Sequence, residues 1–368
     1  MKPRSGSVGH VIGSSGAPLP TPVFEPLDPA SAAVRPEPLV HVLRNGQVES
    51  VHYGHAAIVD PTGRLLAWTG SPRVLVFPRS AFKPFQALPL VESGAFARSG
   101  LGPDALAVIA GSHNGTDAHA ALVQTILDAA GARESDLRCG AHAPYDEATA
   151  ATLRARGEEP TPLRHNCSGK HAGMLLLARF LKAPLESYLD PGHPVQRAIF
   201  ARFQELMGEP PDDVGVDGCS APTPRMALGT LARAFALLAA GVDAAGRPVP
   251  ALERIREAMR AHPEAVAGEG RLDTRIMRAA PDLVAKAGAE AVHATGVVGN
   301  AAGIAVKVAD GTRRALAPAV VAVLAEAGVL DAEAFEVLAP LAEERLTNHA
   351  GLEVGAIRGV ARLTREAP

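Results

Sequence analysis

The fold is decided by the stretch at residues 39–69, which reads LVHVLRNGQVESVHYGHAAIVDPTGRLLAWT. Apolar and polar residues alternate along it, as they do in half-buried β-strands. Two turn signals, Asn45-Gly46 and Asp60-Pro61-Thr62-Gly63, interrupt the alternation. The stretch therefore predicts three or four antiparallel strands joined by hairpins.

Outward from this stretch, the hydrophobic pattern changes period twice. Helical periods dominate from about residue 84 to residue 280, and strand patterns return between residues 283 and 360. We therefore expect an α/β (α+β) fold, in which one antiparallel sheet is built from residues 39–80 and 283–360 and packs on a helical middle region. The alternative is two sequential domains divided near residues 241–250, where Gly, Asp and Pro cluster.

The first 38 residues are rich in Pro, Ser and Gly and contain no apolar stretch of the length that a signal peptide needs. They predict a flexible N-terminal tail before a domain at residues 39–368.

Three cysteines are too few for a disulfide framework in a chain of 368 residues, and no apolar run is long enough for a membrane span. We expect a cytoplasmic protein with no membrane partner.

The charge balance argues against a nucleic-acid partner. Lys and Arg total 36 against 39 Asp and Glu, which gives a net charge of −3, and no dense basic block is present.

Only six of the 36 basic residues are lysines. Because Lys, unlike Arg, can lose its proton when it is desolvated, the positions that keep Lys are candidates for proton transfer.

The first candidate catalytic motif is Ser80-Ala81-Phe82-Lys83. Residues three apart share a face of a helical turn, so the Ser80 hydroxyl would lie beside the Lys83 amine. A neutral Lys can take the serine proton during attack on a carbonyl. An ordinary Lys titrates near ~10.4, so this role at neutral pH requires its pKa to fall by about 3 units.

A second polar cluster is Gly111-Ser112-His113-Asn114-Gly115, which follows the apolar run at residues 106–110. Polar groups after a buried segment are well placed to face a cleft. Ser112 would supply a second hydroxyl, and His113 or Asn114 would recognise an amide. An ordinary loop turn is the alternative interpretation.

A third cluster, at residues 165–173, reads HNCSGKHAG and precedes an apolar helix. Cys167 can pair with Cys219 as soft ligands for zinc, with Lys170 or His171 completing the set. The separation of these cysteines matches no common zinc-site spacing, so two small buried thiols are the competing interpretation.

A fourth motif, Lys286-Ala287-Gly288, lies on a strand pattern. It is similar to the Lys-Ser/Thr-Gly element that penicillin-binding enzymes place on a sheet edge beside Ser-x-x-Lys, with Ala287 in place of the hydroxyl residue.

Together these motifs resemble the L-asparaginase II family of the rhizobial, serine-dependent type. The resemblance runs from about Leu39 to the C-terminus, and the Asn-Cys-Ser-Gly-Lys-His run from Asn166 to His171 is its most specific part. The segments that carry it are Arg44–His52, Arg79–Leu88, Gly111–Gly115, His165–Met174 and Val216–Pro222. It implies a fold like that of penicillin-binding proteins and serine β-lactamases.

The resemblance also implies a function and a set of site residues. The expected reaction is hydrolysis of L-asparagine by two Ser-Lys tandems in one cleft, with a nearby zinc ion and a homodimeric assembly. The tandems are Ser80 with Lys83 and Ser112 with Lys286, the zinc ligands are Cys167, Lys170 and Cys219, and the substrate-binding residues are His113, Asn114, Gly115, His171 and Asp217. Ala81 departs from the family, which often has a second Ser there.

Two other functions fit the same motifs. One is another serine amidohydrolase of the β-lactamase or peptidase type on the same scaffold. The other is a non-catalytic protein that binds an amino acid or a metal, against which the intact Ser and Lys positions argue.

Overall fold

The structure is a computed structural model that describes residues 22–365. Its main layer is a nine-stranded sheet with the order β10-β11-β1-β2-β9-β8-β7, in which the N-terminal strands β1 and β2 lie between two groups of C-terminal strands. Strand β3 pairs with β2, and β12 pairs with β3. The expected α/β class, with an antiparallel sheet of N- and C-terminal strands, is confirmed. The strands of the described residues are β1 (Glu37–Arg44), β2 (Gln47–Val59), β3 (Leu65–Thr69), β4 (Leu75–Val76), β5 (Asp213–Val216), β6 (Pro222–Ala227), β7 (Leu283–Gly288), β8 (Val292–Val297), β9 (Ala302–Val308), β10 (Glu343–Thr347), β11 (Glu353–Gly359) and β12 (Thr364–Arg365).

The first hairpin follows directly from its turn residues. Asn45 and Gly46 have φ values of 47° and 76°, and Arg44 pairs with Gln47 across the turn. Two consecutive positive φ angles are the geometry of the two-residue turn that matches strand twist, and Asn-Gly is the sequence that adopts it most easily. This turn sets the register of β1 on β2.

The helices lie mainly between β4 and β7. They are α1 (Lys83–Gln86), α2 (Leu88–Glu92), α3 (Ala95–Arg98), α4 (Pro103–Ile109), α5 (Asp117–Ala130), α6 (Glu147–Arg156), α7 (Ser168–Phe180), α8 (Pro194–Met207), α9 (Leu228–Ala240), α10 (Pro250–Ala261), α11 (Pro263–Val266), α12 (Leu272–Ala279), α13 (Leu316–Ala327) and α14 (Ala332–Ala342).

Helix α9 packs directly on the sheet and is buried along almost its whole length. A Cβ atom at Gly303 of β9 would lie 1.8 Å from the Ala232 carbonyl oxygen of α9, so only glycine allows the helix to approach this closely. The sheet takes strands from both sides of residues 241–250, where the alternative domain boundary was considered. The division into a tail and one domain stays a prediction.

A small second sheet, with the order β4-β6-β5, interrupts the region expected to be helical. Helical periods dominate residues 84–280 as expected, but β5 and β6 are short strands within this region that the sequence did not predict, and β6 carries prolines at 222 and 224. The loop of this hairpin contains Asp217 and Cys219, and Ser220 closes it with a φ of 67°. The hairpin thus places two of the expected site residues.

The N-terminal segment is packed from residue 22 onward. Phe24 is only 7% exposed and its ring lies against Gly229 of α9, while Leu27 forms a parallel bridge with Val74. The expected flexible tail of residues 1–38 is therefore too long at its C-terminal end, because Phe24 and Leu27 bury apolar surface there. Residues 1–21 lie outside the described part of the chain.

Among residues 22–365, no helix has the length and apolar character that crossing a membrane requires. The expected homodimer and cytoplasmic location stay predictions.

Candidate active site

Ser80 lies on a tight turn whose backbone is constrained on both sides. Residues Arg79–Phe82 form a 3₁₀ turn that runs into α1 at Lys83. Arg79 has a φ of 52°, a left-handed conformation that is costly for a residue with a Cβ atom, and its guanidinium pairs with the Asp217 carboxylate. Within residues 22–365, the half-buried Ser80 hydroxyl has no hydrogen-bond partner. It is therefore available to a bound molecule.

Lys83 adopts helical dihedral angles in spite of the following Pro84, and its side chain is buried. Its ammonium nitrogen Nζ donates to Ser112 Oγ at 2.8 Å, to the Gly111 carbonyl at 2.7 Å and, at 3.4 Å, to the Asn166 carbonyl. The pairing differs from the expected one, because the hydrogen bond of Lys83 joins it to Ser112 rather than to Ser80. The two carbonyl oxygens direct the amine toward Ser112.

The three partners of Lys83 differ in what they can do. The carbonyls of Gly111 and Asn166 only accept protons, whereas the Ser112 hydroxyl can accept or donate one. When Lys83 is charged, its three N–H groups match three oxygen acceptors. When it is neutral, the carbonyls keep two N–H groups and the lone pair takes the Ser112 proton. Ser112 and Lys83 are thus arranged to exchange one proton.

Lys286 is completely buried on β7, and its strand lies against the turn that carries Ser80. A Cβ atom at Gly288 would meet the Pro78 carbonyl oxygen at 2.3 Å. Lys286 Nζ donates to the Ala287 carbonyl at 2.8 Å and lies 3.3 Å from Asp273 Oδ2. Burial lowers the pKa of Lys286 to about 8, with Lys83 and Arg271 acting in the same direction against Asp273.

No hydrogen bond joins the expected Ser112–Lys286 pair in the described residues. In the described residues the hydrogen bonds of Lys286 go to Asp273 and its own strand, because this carboxylate lies beside it, and Ser112 bonds to Lys83 instead. The structure still brings both lysines into one site, since Lys83 is close enough to influence the pKa of Lys286.

His113 and Asn114, expected to recognise substrate, have other contacts. His113 is buried, accepts the Gly115 N–H at Nδ1 and bonds to Ser168 Oγ through Nε2 at 2.9 Å. Burial, reinforced by His119, holds the pKa of His113 well below its usual value, so it is neutral. Asn114 accepts from Arg271 at 2.8 Å and donates to the Glu269 carbonyl. Both side chains are occupied in supporting the Ser112 loop.

Gly115 has a φ of 78°, and a Cβ atom there would lie 2.5 Å from the Arg164 carbonyl oxygen. Its place is therefore a close backbone contact between two loops. His113, Asn114 and Gly115 thus support the loop that carries Ser112, and their expected role in substrate binding stays a prediction.

Two thiols and one amine meet beside Lys83. Lys170 Nζ donates to Cys219 Sγ at 2.9 Å, and the Cys219 thiol forms a hydrogen bond with Cys167 that holds the pKa of Cys167 well below its usual value. The nearby Lys83 ammonium acts in the same direction. Although burial opposes it, Cys219, Cys167 and Asp217 raise the pKa of Lys170. The structure therefore brings together the three residues expected to bind zinc.

This donor set is unusual for zinc because one member is an amine. Within residues 22–365, no group of three or more His, Cys, Asp or Glu side chains is placed to hold a metal ion. The set fits a soft divalent cation through two thiolates, provided that Lys170 gives up its proton on binding. Proton release would therefore accompany metal binding.

His171 lies next to this cluster with an unusual hydrogen-bond pattern. Its Nδ1 lies 2.6 Å from the Tyr188 hydroxyl, which itself accepts the Arg138 N–H and so donates to the ring. This assigns the ring proton to Nε2, which is buried and has no hydrogen-bond partner in the described residues. Burial and Lys170 lower the pKa of His171 to about 4. His171 is therefore neutral.

Asp217 joins the cluster to the Ser80 turn. Its carboxylate pairs with Arg79, and Cys219 Sγ lies 3.5 Å from its Oδ2. Lys170 and Arg79 hold its pKa below the usual value although burial opposes them.

Sequence reasoning missed Arg79 and Asp273. Arg79 immediately precedes the Ser-x-x-Lys motif, so its position was a usable signal. Asp273 is a single acidic residue 13 positions before Lys286, and only the packing of α12 on β7 brings the two together.

Comparison with known proteins connects the chain to one family. The family profile described as L-asparaginase II matches residues 40–359. No curated protein sequence matches the chain.

Among solved structures, Mglu in its native form in 4.3 M NaCl is 17% identical, with 70% of this chain and 56% of that chain covered and a TM-score of 0.32. Mglu in its glutamate form is 16% identical, with 75% and 61% covered and a TM-score of 0.33. The chain thus spans less than two thirds of the length of these two proteins.

Proposed function

The chain belongs to the L-asparaginase II family, and from that premise we propose that it hydrolyses the side-chain amide of L-asparagine to L-aspartate and ammonia through a serine acyl-enzyme. The observation that carries the proposal is the 2.8 Å hydrogen bond between Lys83 Nζ and Ser112 Oγ, at the end of the turn that carries Ser80, whose hydroxyl has no partner in the described residues. Two hydroxyls and two buried amines in one site are the groups that acyl transfer from an amide requires.

The first half of the reaction acylates Ser80. The Ser80 oxygen attacks the amide carbon of the substrate, and its proton passes to neutral Lys83. The tetrahedral intermediate then collapses, the C–N bond breaks, and the nitrogen takes a proton from the Lys286 ammonium and leaves as ammonia. Ser112 keeps Lys83 oriented and, through the hydroxyl that can reverse its hydrogen bond, provides a path for the proton that Lys83 has gained.

The second half regenerates the enzyme. The proton that Lys83 took from Ser80 passes to Lys286, so Lys83 is again neutral and Lys286 is again charged. Water then attacks the aspartyl ester, Lys83 accepts its proton, and that proton returns to the Ser80 oxygen as the ester bond breaks. One amide and one water molecule are consumed, and one carboxylic acid and one ammonia are formed.

Cys167, Cys219 and Lys170 would hold a zinc ion if one is bound, with the neutral His171 ring next to them. A cation at that place would supply positive charge close to Asp217 and the Ser80 turn, which helps to orient an amino-acid substrate. Within the chain itself, Asp217 and Arg79 offer one group of each sign for the α-ammonium and α-carboxylate of asparagine.

The test compares Ser80→Ala and Ser112→Ala with the wild type in an assay of ammonia release from asparagine and glutamine. We expect Ser80→Ala to lower kcat by at least about a thousandfold, since it removes the nucleophile, and Ser112→Ala by about ten- to a hundredfold. Rapid acid quench followed by peptide mapping should find the aspartyl ester on Ser80 in the wild type and in Ser112→Ala. Ser99→Ala, which removes a half-buried hydroxyl bonded to the Phe96 carbonyl, is the matched control.

An ester on Ser112, or a Ser80→Ala protein with activity within a few-fold of the wild type, would overturn the assignment of Ser80. Absence of ammonia from both amides in the zinc-loaded wild type would overturn the function itself. Labelling of that protein by a β-lactam would then favour a penicillin-binding type of activity, and asparagine binding without ammonia would favour a non-catalytic binder.

A further inference from the structure

Asp273 is a buried carboxylate that no part of the mechanism above uses. It lies on α12 and is 2% exposed. Its two oxygens accept the Ala287 N–H of β7 at 2.9 and 3.0 Å, and Oδ2 lies 3.3 Å from Lys286 Nζ. On the opposite side, His293 Nε2 of β8 lies 3.3 Å from Oδ1. One side chain thus connects α12, β7 and β8 at the position of Lys286.

The charges around Lys286 make this carboxylate important. Two basic side chains face Lys286, namely Lys83 from α1 and Arg271 from the residue before α12, and each favours loss of the Lys286 proton when it is itself charged. Its burial acts in the same direction. Asp273 is the carboxylate that opposes them, and His293 is the other titratable group beside it.

Asp273 is itself held in the charged state. Although burial opposes it, the Lys286 ammonium, the neighbouring His293 ring and the hydrogen bond from the Ala287 N–H keep the pKa of Asp273 below its usual value. A buried carboxylate with these partners stays ionised across the pH range in which an amidase works. Its charge is therefore a fixed feature of the site.

We propose that Asp273 is a positioning residue of the site, whose carboxylate keeps Lys286 protonated and holds its amine in the orientation from which it protonates the departing ammonia. The inference rests on the proposed amidase function, but its central claim concerns the charge state of Lys286, which is measurable without substrate. Asp273 touches neither substrate nor nucleophile and acts only through Lys286.

The experiment is an NMR titration of the lysine side chains, which the composition favours because the chain has only six lysines. Protein labelled with ¹³C at lysine Cε is titrated between pH 6 and 11, with the Lys286 and Lys83 signals assigned from Lys286→Arg and Lys83→Arg. We expect Lys286 to be charged at pH 7 in the wild type. In Asp273→Asn, whose amide oxygen can still accept the Ala287 N–H, we expect its midpoint to fall by at least about one pH unit.

The kinetic consequence has a defined sign. Because the proposed role of Lys286 is proton donation, kcat/KM should fall as pH rises through its pKa, and Asp273→Asn should move this basic limb to lower pH. Asp273→Glu keeps the charge and should leave the limb within about half a unit of the wild type. A purely structural role for Asp273 would lower the melting temperature of both variants without moving the limb.

Several outcomes would overturn the proposal. A wild-type Lys286 that is already neutral at pH 7 contradicts it before any variant is made, so the test holds even if Asp273→Asn does not fold. An unchanged midpoint in folded Asp273→Asn also contradicts it. If the midpoint moves as expected but the wild type releases no ammonia from asparagine, the charge relationship stands and the proposed function fails.

Discussion

Lys170 and Lys286 are two lysines buried to the same extent in regions with opposite electrostatic character. Lys170 is 2% exposed and lies against the sulfurs of Cys167 and Cys219, whereas Lys286 is 0% exposed and lies near Lys83. The pKa of Lys170 is raised and that of Lys286 is lowered to about 8. Burial alone therefore does not decide the protonation state of a lysine in this protein.

The two pKa shifts differ because the two lysines have different numbers of negatively and positively charged neighbours. Burial opposes the charge on both amines, but two sulfurs and Asp217 outweigh it at Lys170. At Lys286 the single carboxylate of Asp273 does not outweigh burial together with two neighbouring cations. The thiol cluster of Cys167, Cys219 and Lys170 is thus suited to hold a positive charge, either an ammonium or a metal ion. The site around Lys83 and Lys286 is suited to transfer a proton.

The largest expected effect is a difference in catalytic activity between variants of these two lysines. Lys286→Met removes the proton donor, so we expect kcat for asparagine to fall by about a hundredfold or more. Lys170→Met leaves Ser80, Lys83 and Lys286 in place, so its loss should be smaller, about tenfold, and should appear mainly in KM. Steady-state ammonia release with both variants at saturating zinc measures the difference.

The control for these variants is Lys182→Met, which removes an exposed lysine at the end of α7. It should match the wild type in kcat and KM. If Lys170→Met loses as much kcat as Lys286→Met, the two regions do not have separate roles and the comparison fails.

A second prediction concerns metal binding, which should depend on the thiol cluster alone. Cys219→Ser replaces a soft ligand with a hard one, so we expect zinc affinity to fall by about ten- to a hundredfold or more. Lys286→Met should bind zinc like the wild type. Competition with a chromophoric chelator gives the affinity, and elemental analysis of dialysed protein gives the stoichiometry.

Cys139→Ser is the matched control, because Cys139 is a buried thiol whose hydrogen bonds go to backbone carbonyls. It should retain zinc. Equal zinc affinity of Cys219→Ser and Cys139→Ser would show that the paired sulfurs are not the ligands.

The strands of the main sheet could be predicted from the sequence because the patterns that identify them are local. The alternation over residues 39–69 and the Asn45-Gly46 turn identify strands and one register without any knowledge of distant contacts. The small sheet of β5 and β6 was missed because both strands are short and β6 contains two prolines, which are unusual within strands. The packing of Phe24 was missed because the surrounding Pro-rich composition resembles a linker.

In the site, the sequence predicts which residues matter better than it predicts their partners. Ser80, Lys83, Ser112 and Lys286 stand in recognisable motifs, and the structure brings their segments together. Partner choice depends on side-chain directions set by packing, so the Lys83–Ser112 bond could not be derived from spacing. The same holds for Asp273, which belongs to no motif and reaches Lys286 only when α12 packs on β7.

The smallest expected effect is a difference in how stability depends on pH. A buried Lys286 that titrates near pH 8 loses its proton in the folded state before it does so in the unfolded chain, where lysine titrates near ~10.4. Between these values the unfolded chain binds more protons, so the Lys286 contribution makes the free energy of unfolding rise with pH, by up to about 3 kcal/mol. Lys170 contributes little slope over most of this window, because its raised pKa keeps it charged in the folded state and the unfolded chain loses this proton only as the pH approaches ~10.4, where the slope has the opposite sign.

Urea unfolding of the wild type and Lys286→Met at several values between pH 8 and 10 measures this contribution. Cys139, whose pKa burial raises to about 12, acts in the opposite direction, because its thiol ionises first in the unfolded chain. That term is the same in both proteins, so the difference between their free energies of unfolding isolates Lys286 and should grow with pH. A difference that stays constant from pH 8 to 10 would mean that Lys286 titrates like an exposed lysine, and the contrast with Lys170 would then disappear.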